Sequence, residues 1–181
     1  MLPDTFPVPG IRGGSLELAA CRDEYESVTF VVYAGEELNQ VTVKATDLTG
    51  AAGHIPASAV DIRIVKCWYQ AGRTMFEVNN KQLAPELLLK DDSLVRVDYD
   101  KQANYLRSTA EDGTITYLLA SGEDTPALAE ARPIDASTLQ PVDIPGRTLK
   151  QFWVTVHIPE GAAPGEYIGT LRLSALSVAS I

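Results

Sequence analysis

The stretch QFWVTVHIPEGAAPGEYIGTLRL, residues 151–173, decides the fold class of this chain. Its first part alternates, so that Phe152 and Val154 share one face of an extended segment while Trp153 and His157 lie on the other. A cluster of Pro and Gly residues follows, and EYIGTLRL then alternates again. A period of two is typical of a half-buried β-strand. The stretch therefore predicts two strands separated by a turn.

The same period recurs along most of the chain. Turn-forming clusters such as AGEELN, EDGT and SGEDTP separate the alternating segments. The longest helical pattern, around Ala127–Ala131, is cut short by Pro133. Many short strands with few helices predict an all-β fold, an antiparallel β-sandwich of immunoglobulin or jelly-roll type. The further strand candidates are SLELAA (15–20), EYESVTFVVYA (24–34), QVTVKA (40–45), SAVDIRIVKCWYQ (58–70), LVRVDYD (94–100) and TITYLLA (114–120).

The length of 181 residues suits one sandwich domain spanning residues 1–181. We expect an extended N-terminal segment at 1–14, a sandwich core at 15–175, and a tail at 176–181 that leads toward a further domain. Between residues 70 and 140 the alternation loosens into a long decorated excursion. Long excursions in compact domains are more often functional or interface-forming than idle.

The charge balance restricts the classes of partner. With 24 acidic and 15 basic side chains the formal net charge is −9, which argues against nucleic acid and against anionic membrane surfaces. No apolar run approaches the roughly 20 residues that span a bilayer. The first 14 residues have neither the basic nor the apolar region of a signal peptide. Neutral sugars, or Ca²⁺ bridging some of the acids, remain compatible with this composition.

Motifs for catalysis and for cofactors are absent from the sequence. Neither His54 nor His157 is near a nucleophile elbow, and no zinc-binding or phosphate-binding motif occurs. Asp98 and Asp100 alternate onto one face of VRVDYDK, where they are either solvated turn residues or part of a calcium site. Calcium is therefore the one cofactor candidate. Cys21 and Cys67 are either two buried thiols or a single disulfide.

Aromatic side chains beside polar groups form the most informative set. Flat rings suit the C–H faces of sugars, while neighbouring polar groups bind the hydroxyls. The alternative for each tryptophan is a place in the core or in a domain interface. The carbohydrate-binding candidates are Trp68, Tyr69, Arg73, Tyr99 and Tyr105.

Trp153 and His157 are candidates for a domain interface. Both lie on the second face of a strand whose first face is apolar. An exposed tryptophan is unusual, and such a side chain often anchors a partner. We therefore expect another domain, or the central excursion, to cover them.

Several stretches together resemble the N-terminal sandwich that precedes catalytic domains of the glycoside hydrolase family 123 type. The first carries the pattern R-x-E-x-E-S, and the last carries Q-x-W-x-T followed by P-G-x-Y-x-G-T. Their order and spacing are more specific than any one of them. The stretches are CRDEYESVTFVV (21–32), IPASAVDIRIVKCWYQ (55–70), LAPELLLKDDSLVRVD (83–98), KQANYLR (101–107), ARPIDASTLQPVDIPG (131–146) and KQFWVTVHIPEGAAPGEYIGTLRL (150–173).

The resemblance implies a role without catalysis for this chain. In that family a downstream (β/α)₈ barrel carries an Asp–Glu pair, and the acetamido group of the substrate acts as nucleophile. No position of this sequence matches that pair, so no catalytic residue is carried over. The resemblance implies a secreted, periplasmic or cell-surface protein whose partners are the downstream catalytic domain of the same polypeptide and a polysaccharide or other glycan.

Three functions follow as expectations. The first is a non-catalytic accessory domain that supports the catalytic barrel and takes part in glycan binding. The second is an autonomous carbohydrate-binding module. The third is a structural adhesion domain of the cell surface.

Overall fold

The computed structural model describes residues 1–71, 80–120 and 126–176. The chain divides into two compact units, and strand β5 begins in one and ends in the other. Unit 1 comprises Met1–Pro3 and Ile64–Gln140, and unit 2 comprises Asp4–Arg63 and Pro141–Ile181. The predicted all-β class and the antiparallel pairing are confirmed, and the fold is of the β-sandwich type. The single domain expected for residues 1–181 stays a prediction.

The described part of the chain contains twelve strands, one short α-helix and two single-turn 3₁₀-helices, Ala57–Ala59 and Asp92–Leu94. The strands are β1 (Tyr25–Ala34), β2 (Leu38–Ala45), β3 (Leu48–Gly50), β4 (Gly53–Ile55), β5 (Val60–Gln70), β6 (Gln82–Leu89), β7 (Val95–Asp98), β8 (Ala103–Thr109), β9 (Ile115–Leu119), β10 (Val142–Ile144), β11 (Thr148–His157) and β12 (Leu171–Leu176). The helix α1 (Pro126–Ala129) lies where the sequence predicts one, and it ends before Pro133.

Unit 2 forms its interior between two sheets. In one sheet β1 pairs with β11. The next strand of this sheet is β5, and its first residues belong to unit 2. The other sheet has the order β10-β2-β12. Phe152 is fully buried and stacks on Phe30 of the neighbouring strand at 5.1 Å between ring centroids. Buried valines of β2 and β11 also belong to this interior: Val41, Val43, Val154 and Val156. The predicted inward faces of both strands are confirmed.

The two strands of the 151–173 stretch lie in different sheets. β11 pairs with β1, whereas β12 pairs with β2. The turn between them therefore crosses from one sheet to the other, instead of closing a hairpin.

Unit 1 contains a pair of strands and a three-stranded sheet. The later part of β5 pairs with β6, and the other sheet has the order β7-β8-β9. Aliphatic side chains such as Ile64, Leu89 and Leu94 are buried here together with the amide of Asn104. Much of the excursion predicted between residues 70 and 140 thus consists of regular strands.

Two expectations near the N-terminus are wrong. The SLELAA segment, 15–20, forms no strand, and Leu16 and Leu18 are exposed because no neighbouring strand pairs with the segment. Cys21 is exposed in the segment before β1, whereas Cys67 is buried in β5. Neither alternative holds in full, because the two cysteines form no disulfide with each other and only Cys67 is a buried thiol.

Candidate functional site

A polar cluster joins the segment between β6 and β7 to strand β8 and to the segment after α1. We call Asp91, Ser93, Arg107 and Asp135 the corner cluster. The Asp91 carboxylate accepts hydrogen bonds from the Ser93 hydroxyl at 2.7 Å and from the Arg107 guanidinium at 2.6 Å. Arg107 also donates to the carbonyl oxygen of Ile134 at 3.1 Å. The cluster therefore ties three separate segments of unit 1 together.

Both carboxylates of the corner cluster accept hydrogen bonds from other groups of unit 1. Asp135 accepts hydrogen bonds from the backbone N–H groups of Lys90 and Asp91, both at 2.9 Å. Burial by itself raises the pKa of Asp91, but hydrogen bonds from Ser93 and Arg107 outweigh burial and lower the pKa below its ordinary value of 3.8. A carboxyl group with a lowered pKa suits a permanent ion pair better than proton transfer near neutral pH.

Residues of the closing motif P-G-x-Y-x-G-T also form contacts within the fold. The Tyr167 hydroxyl donates to the carbonyl oxygen of Ala163 at 2.7 Å and so closes the loop before it. Ile168 forms a two-way backbone bridge with Thr49, with both hydrogen bonds at 2.8 Å. A Cβ atom at Gly169 would lie 3.1 Å from the backbone oxygen of Asp47, so a glycine suits this close approach.

The opening motif R-x-E-x-E-S is engaged in the same way. The Glu24 carboxylate accepts a hydrogen bond from the backbone N–H of Cys21 at 2.6 Å. The Ser27 hydroxyl is hydrogen-bonded to the Thr155 hydroxyl across β1 and β11 at 2.9 Å. The backbone N–H of Asp23 donates a hydrogen bond to the carbonyl oxygen of Ile158 at 2.8 Å. The motif thus fixes the start of β1 against the end of β11.

Trp68 lies half-buried in β5 beside an irregularity of its partner strand. The register changes from Lys66 opposite Leu87 to Cys67 opposite Pro85, so Glu86 is an extra, unpaired residue. The indole N–H of Trp68 donates to the Glu86 carboxylate at 2.9 Å. Such a bulge re-aims the side chain of the extra residue.

Tyr69 points to the opposite face of β5 from Trp68. Its ring meets Tyr99 edge-on, with 6.3 Å between the centroids, and Tyr99 is 55% exposed. Its backbone is held by Asn104, whose amide accepts from the Tyr69 N–H at 2.9 Å and donates to the Tyr69 carbonyl oxygen at 2.6 Å. Trp68 and Tyr69 therefore cannot form one joint platform.

Tyr105 lies on strand β8 of the three-stranded sheet of unit 1. In register it stands between Arg96 of β7 and Leu119 of β9. The Arg96 guanidinium lies 4.0 Å over the ring of Tyr117 on the same sheet. Arg73, the remaining carbohydrate-binding candidate, lies outside the described residues. The predicted set is thus divided among several surfaces.

Trp153 and His157 lie half-buried on the outer face of the β1–β11 pair. His157 stacks on Tyr25, with 4.3 Å between the ring centroids, and its Nε2 atom is 3.3 Å from the Asp23 carboxylate. Tyr25 is 67% exposed. Trp153 stands opposite Thr29 in the same ladder. The structure thus keeps aromatic side chains on this outer face, as the alternation predicts.

The calcium candidate is a turn in the structure. The Asp98 carboxylate accepts the backbone N–H of Lys101 at 3.0 Å, which lowers the pKa of Asp98. Asp100 is exposed in the following turn. Among the described residues no three His, Cys, Asp or Glu side chains come together as a metal site requires. Calcium binding here stays a prediction.

The chain matches the glycoside hydrolase 123 N-terminal domain over residues 11–175. It belongs to this family. Eight chains of solved structures are also similar to it. One is a family 123 glycoside hydrolase from Clostridium perfringens, described for its hydrolysis of glycolipid glycans, with 13% sequence identity and a TM-score of 0.48. That match covers 89% of this chain and 20% of the other, so the chain spans about a fifth of that protein's length. None of the curated proteins matches.

Membership in the glycoside hydrolase 123 N-terminal domain family agrees with the resemblance noted from the sequence. The stretches that carry that resemblance include the corner cluster and both terminal motifs. In each of these places the structure shows hydrogen bonds within the fold. In the described part of the chain, no helix is long and apolar enough to cross a membrane.

Sequence reasoning missed Asn104, Glu86 and Asp135. The signal for Asn104 is a polar residue inside the strand ANYLRST, where an amide must find partners if it is buried. The signal for Glu86 is the neighbouring Pro85, because a proline within a strand marks an edge or a bulge. Asp135 has no such signal, because its partners Lys90 and Asp91 are more than 40 positions away.

Proposed function

We propose that this chain is the non-catalytic accessory domain of a secreted glycoside hydrolase, where it supports the catalytic region of the same polypeptide. The observation that carries this proposal is that the motif residues form hydrogen bonds within the fold. Their polar groups bond to one another and to the backbone, as in the corner cluster, where Asp91 and Arg107 are 2.6 Å apart. Membership in a family of N-terminal domains supports it further.

The outer face of the β1–β11 pair supplies the surface for this support. Tyr25, Trp153 and His157 present aromatic area there, and aromatic side chains are enriched at protein interfaces. Tyr25 is most exposed of the three and would lose the most contact with water on docking. We propose that the catalytic region covers this face.

The test uses the longer polypeptide in which, under this proposal, the domain is joined to its catalytic region. Trp153→Ala is expected to lower the melting temperature of the catalytic region, because the docking face loses its largest side chain. Arg172→Ala is the matched control, since Arg172 is exposed on β12 in the other sheet of unit 2. Equal melting temperatures for the two variants would contradict the docking face.

A second measurement tests the absence of catalysis. The 181-residue chain is assayed alone on chromogenic glycosides, and no turnover is expected. Turnover that disappears on substitution of a carboxylate of this chain would refute the proposal. A gene that encodes no catalytic region beside this domain would refute it as well. A secretion signal in the full gene, checked by cell fractionation, tests the proposed location.

A further inference from the structure

The β5–β6 pair brings one oriented ring and three polar side chains together. We call Trp68, Gln70, Gln82, Ala84 and Glu86 the Trp68 strip. The register places Trp68 opposite Ala84 and Gln70 opposite Gln82, and Glu86 is the extra residue of the bulge. The strip therefore presents a flat apolar ring between a pair of amides and a carboxylate.

The indole ring is held in one orientation. Its N–H is the only polar group of the side chain, and it donates to Glu86 at 2.9 Å. Ala84, opposite Trp68, is too small to cover the ring by itself. Glu86 is exposed and makes this one hydrogen bond among the described residues, so its second carboxylate oxygen still has capacity to accept.

The two amides supply both kinds of hydrogen-bonding group. Gln82 is exposed and Gln70 is half-buried, and an amide side chain offers two donor hydrogens and an acceptor oxygen. Within the described ranges neither side chain is hydrogen-bonded to another residue. The strip thus combines uncommitted donors, uncommitted acceptors and an apolar plane, which are the groups that a sugar ring requires.

We propose that the Trp68 strip binds a neutral pyranose of an oligosaccharide. The C–H face of the sugar packs on Trp68, and its hydroxyl groups bond to Glu86 and to the glutamine pair. The Glu86 carboxylate and the net charge of −9 disfavour acidic sugars. This inference rests on the proposed function, because an accessory domain of a glycoside hydrolase works beside glycans.

The expected affinity is low. A single sugar ring has roughly a dozen heavy atoms, which corresponds to a Kd on the order of 1 mM. Multivalent glycans would bind more tightly through repeated engagement. The measurement must therefore detect weak binding, and ligand-observed saturation-transfer NMR does so.

The experiment compares methyl glycosides of neutral hexoses with the matching uronic acids, using the 181-residue chain. Neutral glycosides are expected to receive saturation from the protein. Trp68→Ala is expected to weaken the binding of these glycosides by about tenfold or more. Tyr33→Ala is the matched control, because Tyr33 is an exposed aromatic side chain on β1 of unit 2 and is not part of the Trp68 strip. That variant should bind like the parent chain.

Two further variants make the result specific. Glu86→Gln should raise the binding of uronic acids relative to neutral sugars, because it removes the repelling charge. Trp153→Phe leaves Trp68 as the one tryptophan, so its fluorescence should change when a neutral glycan binds. Circular dichroism of the Trp68→Ala chain shows whether that variant is folded.

Three results would overturn the inference. One is the absence of saturation transfer for every neutral glycoside at about 20 mM, well above the expected Kd. The others are unchanged binding in a folded Trp68→Ala chain, and a Glu86→Gln variant with the same preference as the parent. The proposed docking function would survive each of these, because it is measured by Trp153→Ala in the longer polypeptide.

Discussion

In unit 2 the most deeply buried side chains are hydrocarbon, whereas in unit 1 they include an amide. Phe152, Ile55 and Ile144 of unit 2 are each at most 2% exposed. Asn104 of unit 1 is equally buried, and it bonds to both backbone groups of Tyr69. A side chain thus supplies in unit 1 the hydrogen bonds that a neighbouring strand supplies in unit 2.

Because of this difference, the stability of the two units should respond differently to pH and to substitution. Burial of hydrocarbon depends on area and shape but hardly on pH. Polar clusters such as that of Asp91 and Arg107 depend on geometry and on charge, and a half-satisfied cluster is worse than none. Substitutions can therefore separate the two kinds of stabilisation.

The largest effect is expected in unit 2. Phe152→Ala should lower the free energy of unfolding by about 3–5 kcal/mol, because it leaves a cavity in a packed interior. Phe30, its stacking partner, is half-buried, so Phe30→Ala should cost roughly half as much. Urea unfolding followed by circular dichroism measures both values. Equal losses would show that the two rings are equally important to the interior.

The next effect concerns the corner cluster and depends on pH. Asp91→Asn should cost about 2 kcal/mol at neutral pH, because the charged partner of Arg107 is lost. The pKa of Asp91 is lowered, so its contribution is complete above the ordinary value of 3.8 and disappears as pH falls through the folded-state pKa. The parent and the variant should therefore converge in stability in acid.

An exposed ion pair of unit 1 provides the control. Arg132 and Glu111 are 2.7 Å apart, close to the 2.6 Å of Asp91 and Arg107, but their side chains are 62% and 83% exposed, against 19% and 14%. Glu111→Gln should change stability by about 0.5 kcal/mol or less. A loss as large as that of Asp91→Asn would mean that burial does not set the strength of these pairs.

An effect of similar size to that of Asp91→Asn is expected at the sheet crossing of unit 2. A Cβ atom at Gly50 would collide with the backbone oxygen of Glu166, so Gly50→Ala should cost about 1–3 kcal/mol. Gly161→Ala is the matched control, because no atom lies within 4 Å of its Cβ position. Thermal unfolding compares the two. Equal melting temperatures would show that the 166–170 segment moves freely to accept a methyl group.

The smallest effect concerns the hydroxyl pair between β1 and β11. Ser27→Ala or Thr155→Val alone should cost about 0.5–1 kcal/mol, since one partner loses its hydrogen bond. The double substitution should cost less than the sum of the two, because no unpaired hydroxyl remains. A double-mutant cycle in urea tests this, and strict additivity would argue against a coupled pair.

Local alternation predicted β1, β2, β5, β7, β9, β11 and β12, but it missed β6 and β8 of unit 1 and the three-residue strands β3, β4 and β10. The faces of β2 and β11 follow the sequence, because a period of two places alternate side chains on opposite faces whatever the partner strand is. The same rule wrongly predicted a strand at 15–20, because alternation does not supply a hydrogen-bonding partner. Pairing is a property of two segments.

The candidate sites could be predicted only in part, because they too depend on pairing between segments. The aromatic character of Trp68 and Trp153 is visible in the sequence, and the structure keeps both half-buried. That Trp68 is held by Glu86 depends on a bulge, which is a feature of strand register. That Tyr69 faces away from Trp68 follows from alternation and could have been foreseen.

By itself the sequence determined the all-β class, the inward faces of the main strands and the resemblance to its family, because these depend on neighbouring residues or on their linear order. Only the tertiary structure decided that β11 and β12 belong to different sheets, and that Asp135 and Arg107 meet at one corner. Contacts between distant segments depend on how loops close in space, and local patterns carry little information about that.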